Sequence, residues 1–159
     1  MNKSLLIAQI IKHLQQELAN CELAAANAHL AATDDQSIAE TQYDTLAIES
    51  AYLAEGQSRR IIEFKAAIDA FEQLACEKLS SGMVNLGSVV QLSEDEQKQH
   101  FFFIAPAAAG YRFSINGQNF TVITPNSPMG LALLGKQLDD EIEISIGNNK
   151  LLDEIIAVT

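Results

Sequence analysis

Hydrophobic positions follow two different periods along this chain. Up to about residue 79 they recur every three or four residues. The seam Ile7, Ile11, Leu14, Leu18, Cys21, Ala25, Ala28, Ala32 steps four, three, four, three throughout, the spacing of a coiled-coil helix. It predicts a helix over about Lys3–Ala32, with large residues giving way to small ones so that a partner helix can approach closely. Thr33-Asp34-Asp35-Gln36-Ser37 breaks the pattern with side chains that favour turns and N-caps. Periodicity resumes near Ile38 as Tyr43, Leu46, Ser50, Leu53, Gln57, then Ile61, Phe64, Ile68, Phe71 and Ala75, with a stutter between Leu53 and Ile61. A short connection makes the two helices antiparallel neighbours. With the turn at 33–37, residues should meet where their numbers sum to about 69, which sets Cys21 opposite position 48. The apolar stripe of Phe64, Ile68, Phe71 and Leu74 outlasts the first helix, so the rest of the chain must cover it.

Ser80-Ser81-Gly82 ends the helical half, and the period falls to two. Strands are predicted at Val84–Gln91, Phe101–Ala105, Tyr111–Ile115, Asn119–Thr124, Glu141–Ile146 and Leu152–Val158. Asn116-Gly117 is a hairpin signal because both residues accept positive φ. Gly147-Asn148-Asn149 marks a second turn. Ile142, Ile144 and Ile146 alternate with Glu141, Glu143 and Ser145, giving one buried and one wet face. Ser127, Pro128 and Gly135 frame one short helix as cap, first turn and stop. Phe101, Phe102 and Phe103 are consecutive, so alternation turns at least one away from a one-sided core. The fold class is α+β: a helical hairpin over 1–79, then a β-rich unit over 80–159.

Composition narrows the function classes. The first 79 residues contain no proline, and their only glycine is Gly56. Net charge is −11, spread over both halves, with no basic tail. Binding to duplex DNA is therefore not expected, since phosphate neutralisation dominates that affinity. A basic protein surface or a cation is the more natural partner. No apolar run has the roughly 20 residues a membrane helix needs, and no leader pattern opens the sequence, so a cytoplasmic protein without membrane attachment is expected. Cys21 and Cys76 lack a neighbouring histidine cluster and should be free thiols. His13, His29 and His100 share no ligand spacing, and no catalytic motif or phosphate loop is present. Arg59 and Arg60 are an adjacent basic pair, placed for i,i+4 contacts with Glu55 and Glu63 or for facing a partner.

The segment Ile123-Thr124-Pro125-Asn126-Ser127-Pro128-Met129-Gly130-Leu131-Ala132-Leu133-Leu134-Gly135-Lys136, followed by Asp139-Asp140-Glu141-Ile142-Glu143-Ile144, resembles the C-terminal signature of the Gre transcript-cleavage factors. Tyr43 and Gly56 also resemble, in type and spacing, residues of that family's second coiled-coil helix. The resemblance implies a coiled coil followed by an FKBP-like domain. It implies a factor that binds RNA polymerase, touches nascent RNA only indirectly, and inserts its hairpin into the secondary channel. Such a factor is not itself an enzyme. Tip carboxylates help hold a second Mg²⁺ in the polymerase site, and no cofactor is bound stably. Asp34, Asp35 and Glu40 are the tip candidates here, with Asp35 and Glu40 as the metal donors. Ungapped alignment on Tyr43 and Gly56 puts Gln36 and Ala39 at the carboxylate positions, and a one-residue shift brings in Asp35 and Glu40. Thr124, Asn126, Ser127 and Pro128 match the loop that contacts polymerase. Two other readings stay open: a Gre-like regulator or antagonist without cleavage, and an FKBP-like prolyl isomerase.

Overall fold

The computed structural model describes residues 2–33, 45–76, 82–146 and 149–159. Two long helices come first, α1 over Lys3–Thr33 and α2 over Thr45–Cys76. Six strands and two short helical turns follow. The chain divides into two compact units, residues 9–69 and residues 1–8 with 70–159. The start of α1 and the end of α2 thus fall in one unit, as an antiparallel pair requires.

Within the helical unit the seam residues Leu14, Cys21 and Ala28 are buried, and so is Ile10, outside the predicted seam, while Ile11 is only half-buried. The three buried seam residues lie one heptad apart, so the small-residue end of the seam packs as its periodicity predicts. The Cys21 thiol is buried and free. Leu23 and Leu30, also a heptad apart, lie on the opposite side and are exposed. Lys65 Nζ reaches Glu22 Oε1 at 3.2 Å across the pair. Their numbers sum to 87 rather than about 69. At a sum of 69, Lys65 would lie 18 residues from the level of Glu22, roughly 27 Å along the helix, far beyond the reach of two side chains. Cys21 therefore does not face position 48. Glu55 and Arg59 form the expected i,i+4 pair, at 3.5 Å and fully in water.

The second unit is a six-stranded mixed sheet: β1 (Val89–Leu92), β2 (His100–Ile104), β3 (Arg112–Ile115), β4 (Gln118–Ile123), β5 (Glu141–Ile146) and β6 (Asn149–Val158). Their spatial order is β3-β4-β2-β1-β6-β5. Only β2 and β4 run parallel; Phe101 faces Phe120 and Phe103 faces Val122. Asn116 (φ 53°) and Gly117 (φ 79°) turn the β3–β4 hairpin, as predicted. Ile142 and Ile144 are buried while Glu141 and Glu143 are exposed. The first strand begins later than its hydrophobic run, because residues 84–88 are spent on a turn in which Ser88 Oγ accepts from Asn85 N. A single 3₁₀ turn, Ser93–Asp95, follows β1 and was not predicted.

The core on one sheet face gathers Val90, Leu92, Phe102, Ile104, Ile123, Leu133, Ile142, Ile144 and Ile155. Phe101 and Phe103 lie on the other face and are buried too. Alternation thus sends Phe102 to one face and its two neighbours to the other, where they are packed rather than left in water. Both faces of the central strands are covered, and Phe71, Leu74, Leu6 and Ile7 of the same unit are also buried. Phe101, Phe120, Phe113 and Tyr111 form a run of stacked rings, each neighbouring pair 5.3–5.5 Å apart. Of the stripe on α2, Phe71 and Leu74 fall in the unit of the sheet, whereas Phe64 and Ile68 fall in the helical unit.

Candidate functional site

The loop from Thr124 into the short helix α3 (Pro128–Leu133) is built by local chemistry. Ser127 sits in extended backbone at the N-cap, and its Oγ accepts from Gly130 N at 3.0 Å. The same hydroxyl donates to Thr124 O at 2.7 Å, so one side chain ties the helix start to the end of β4. Pro128 occupies the first turn, where no N–H is needed. A Cβ on Gly130 would overlap the Thr124 carbonyl oxygen and come within 2.9 Å of its carbon. Only glycine lets the loop backbone lie against α3. Gly135, at φ +79°, closes the helix, and its N–H donates to Val84 O at 2.9 Å.

This scaffold presents Asn126 and Pro128 to solvent, with Thr124 and Ser127 half-buried behind them. Leu131, one turn on, is also exposed. The four loop residues singled out in the sequence are thus brought together on one rigid corner. Asp34, Asp35 and Glu40 lie outside the described residues, as do Gln36, Ala39 and Tyr43. Gly56 has nothing within 4 Å of a built Cβ, so close packing does not demand glycine there.

A second feature had no signal in the sequence. A cavity of about 470 Å³ opens between the 3₁₀ turn and the β3 edge, lined by Asp95, Lys98, His100, Arg112, Ser114, Asn119 and Thr121 among others. Its parts come from four segments that only the parallel β2–β4 pairing brings together. His100 Nε2 lies 2.8 Å from Thr121 Oγ1, and its Nδ1 lies 3.5 Å from Asp95 Oδ1. Lys98 Nζ is 3.2 Å from the same carboxylate oxygen. Ser114 Oγ donates to Asn119 Oδ1 at 2.6 Å, and Asn119 Nδ2 donates to Lys98 O. Among the described residues, no group of three or more histidine, cysteine or carboxylate side chains could hold a metal ion. No described helix is long and apolar enough to cross a membrane.

A long-helix unit followed by a mixed sheet with a Ser-Pro-capped corner defines a two-part α+β protein. Residues 79–159 match the family described as transcription elongation factor, GreA/GreB, C-terminal. The chain belongs to this transcription elongation factor family. It is also similar to solved structures. One is the GreA factor homolog 1 (Gfh1) protein of Thermus thermophilus, 21% identical over 94% of each chain, with a TM-score of 0.36. Another is described as the transcription factor Gfh1, 22% identical over 93% of this chain and 92% of that one, with a TM-score of 0.38. A third is Gfh1 of Thermus aquaticus, 19% identical over 92% of each chain, with a TM-score of 0.36. No curated protein matches the chain significantly.

Proposed function

We propose that this protein binds RNA polymerase through its sheet unit and acts on elongation by placing its helical hairpin in the secondary channel. The observation that carries this reading is the match of residues 79–159 to the C-terminal domain of the elongation factor family. The corner formed by Thr124, Asn126, Ser127 and Pro128 supports it. Exposed groups there are held by the Ser127 cap and the Gly130 contact, the rigidity a docking contact needs. On this reading the protein has no active site of its own. Asp35 and Glu40, with Asp34 beside them, supply carboxylate oxygens to a Mg²⁺ shared with the polymerase, the ligand type that ion prefers. Two metals can then stabilise the attacking and leaving oxygens of RNA hydrolysis.

The test adds the protein to a stalled, backtracked polymerase complex with Mg²⁺ and follows RNA length. Shortening that is lost in an Asp35→Asn/Glu40→Gln double variant is the expected result. Binding without shortening would remove the metal role and leave a regulator or antagonist. Failure to bind polymerase at all would overturn the proposal.

A further inference from the structure

Strand β3 is hydrogen-bonded on one side only, because it ends the sheet. At the other end, β5 is packed by α3. The four residues of β3 alternate between exposed and half-buried, with Arg112 and Ser114 exposed toward the cavity. An edge with free backbone donors and acceptors is a template for a further strand.

The charges beside this edge are unusual for the molecule. Residues 82–159 carry four lysines and arginines, and two of them, Lys98 and Arg112, line this one cavity. Lys136 donates to the Glu141 carbonyl, and Lys150 pairs with Glu143. Lys98 is shared with Asp95, so those two cancel. Of the four, Arg112 alone has neither a hydrogen-bond nor an ion-pair partner for its side chain among the described residues. Hydrogen bonds within the cavity wall engage Ser114, Asn119, Thr121 and His100 and hold the surface in shape.

We infer that the β3 edge and the cavity beside it bind an extended acidic peptide segment, with Arg112 receiving a carboxylate. A guanidinium fork matches a carboxylate geometrically and binds it through two parallel hydrogen bonds. In an added strand, alternate side chains face the same way, so acidic residues at every second position point toward Arg112. The lining holds Lys98 and Arg112 against the one carboxylate of Asp95, which leaves room for one further carboxylate. Nucleic acid would bring a run of phosphates against a single unpaired cation. The inference stands apart from polymerase binding and is tested without polymerase.

The test uses the full chain and a fluorescein-labelled, end-capped hexapeptide of alternating glutamate and valine, followed by anisotropy. Its glutamine counterpart should bind at least about tenfold more weakly, and Arg112→Gln should weaken the glutamate peptide by about the same factor. Arg112→Lys should recover part of the loss. Backbone amide signals of residues 112–115 should move on titration. Arg112 is exposed, so the variants should keep the parent circular dichroism spectrum. Equal binding of the two peptides, unchanged binding by Arg112→Gln, or shifts confined to other strands would overturn the inference. So would displacement of the peptide by equimolar inorganic phosphate or a single-stranded oligonucleotide, or absence of binding at about 1 mM peptide.

Discussion

The two units bury their apolar residues in opposite ways. The helical unit rests on a single seam, Ile10, Leu14, Cys21 and Ala28, while Leu23, Leu30, Tyr52, Leu53 and Ile62 stay more than half exposed. The sheet unit buries both faces of its central strands, and Phe103, Ile104 and Val122 are fully enclosed. The difference is geometric. A helix in a two-helix pair can hide only the narrow stripe facing its partner, whereas a central strand can be covered above and below. A chain rich in leucine and alanine can therefore form long helices whose stability depends on few contacts. Its densely packed unit can hold the 124–128 corner in place.

Substitutions can break or sharpen this contrast. Phe103→Ala removes a large side chain from a fully enclosed site and should cost about 3–5 kcal/mol, read as a large drop in the urea midpoint. Leu14→Ala empties the buried seam and should cost about 2–4 kcal/mol, with loss of helical signal at 222 nm as its readout. Gly130→Ala should cost about 1–3 kcal/mol by pushing the Thr124 carbonyl off α3. On the proposed function it should also weaken polymerase binding more than its stability loss explains. Gly56→Ala should stabilise by about 0.5–1 kcal/mol, because the site is an open helix interior. Leu23→Gln should change the midpoint by no more than about 0.5 kcal/mol, since that leucine already faces water. A large effect of Leu23→Gln would refute the single-seam picture.

Features set by neighbouring residues could be read from the sequence. The Ser127 cap, Pro128 at the first turn, the Gly135 stop and the Asn116-Gly117 hairpin all follow from chemistry within a few positions. Features set by distant pairings could not. The register of the helices depended on an assumed turn length, and the Glu22–Lys65 contact moved it by about 18 residues. The burial of Phe101 and Phe103 depended on coverage that no strand pattern reveals. The cavity at the β3 edge needs the parallel β2–β4 pair, which joins residues whose sequence neighbours give no hint of one another. For the candidate polymerase contacts, the loop residues were legible through the family resemblance, and the Ser127 cap and Gly130 contact are how the fold holds them. The tip carboxylates fall outside the described residues.

The place of β1 in the sheet has a consequence for synthesis. Strand β1 joins the β2–β4 group to the β5–β6 hairpin, and Val89 exchanges both backbone hydrogen bonds with Thr159, at 2.8 and 2.9 Å. Seventy residues separate those partners. While the chain is being made, the β3–β4 hairpin can form early, and β2 can dock beside β4. The bridge across the middle needs β6, whose Ile155, Ala157 and Val158 pair with Leu92, Gln91 and Val90. A nascent chain stalled before β6 would hold two unjoined pieces of sheet with open edges. Completion of the sheet unit, and with it the full setting of the 124–128 corner, therefore waits on a pairing between strands far apart in the chain.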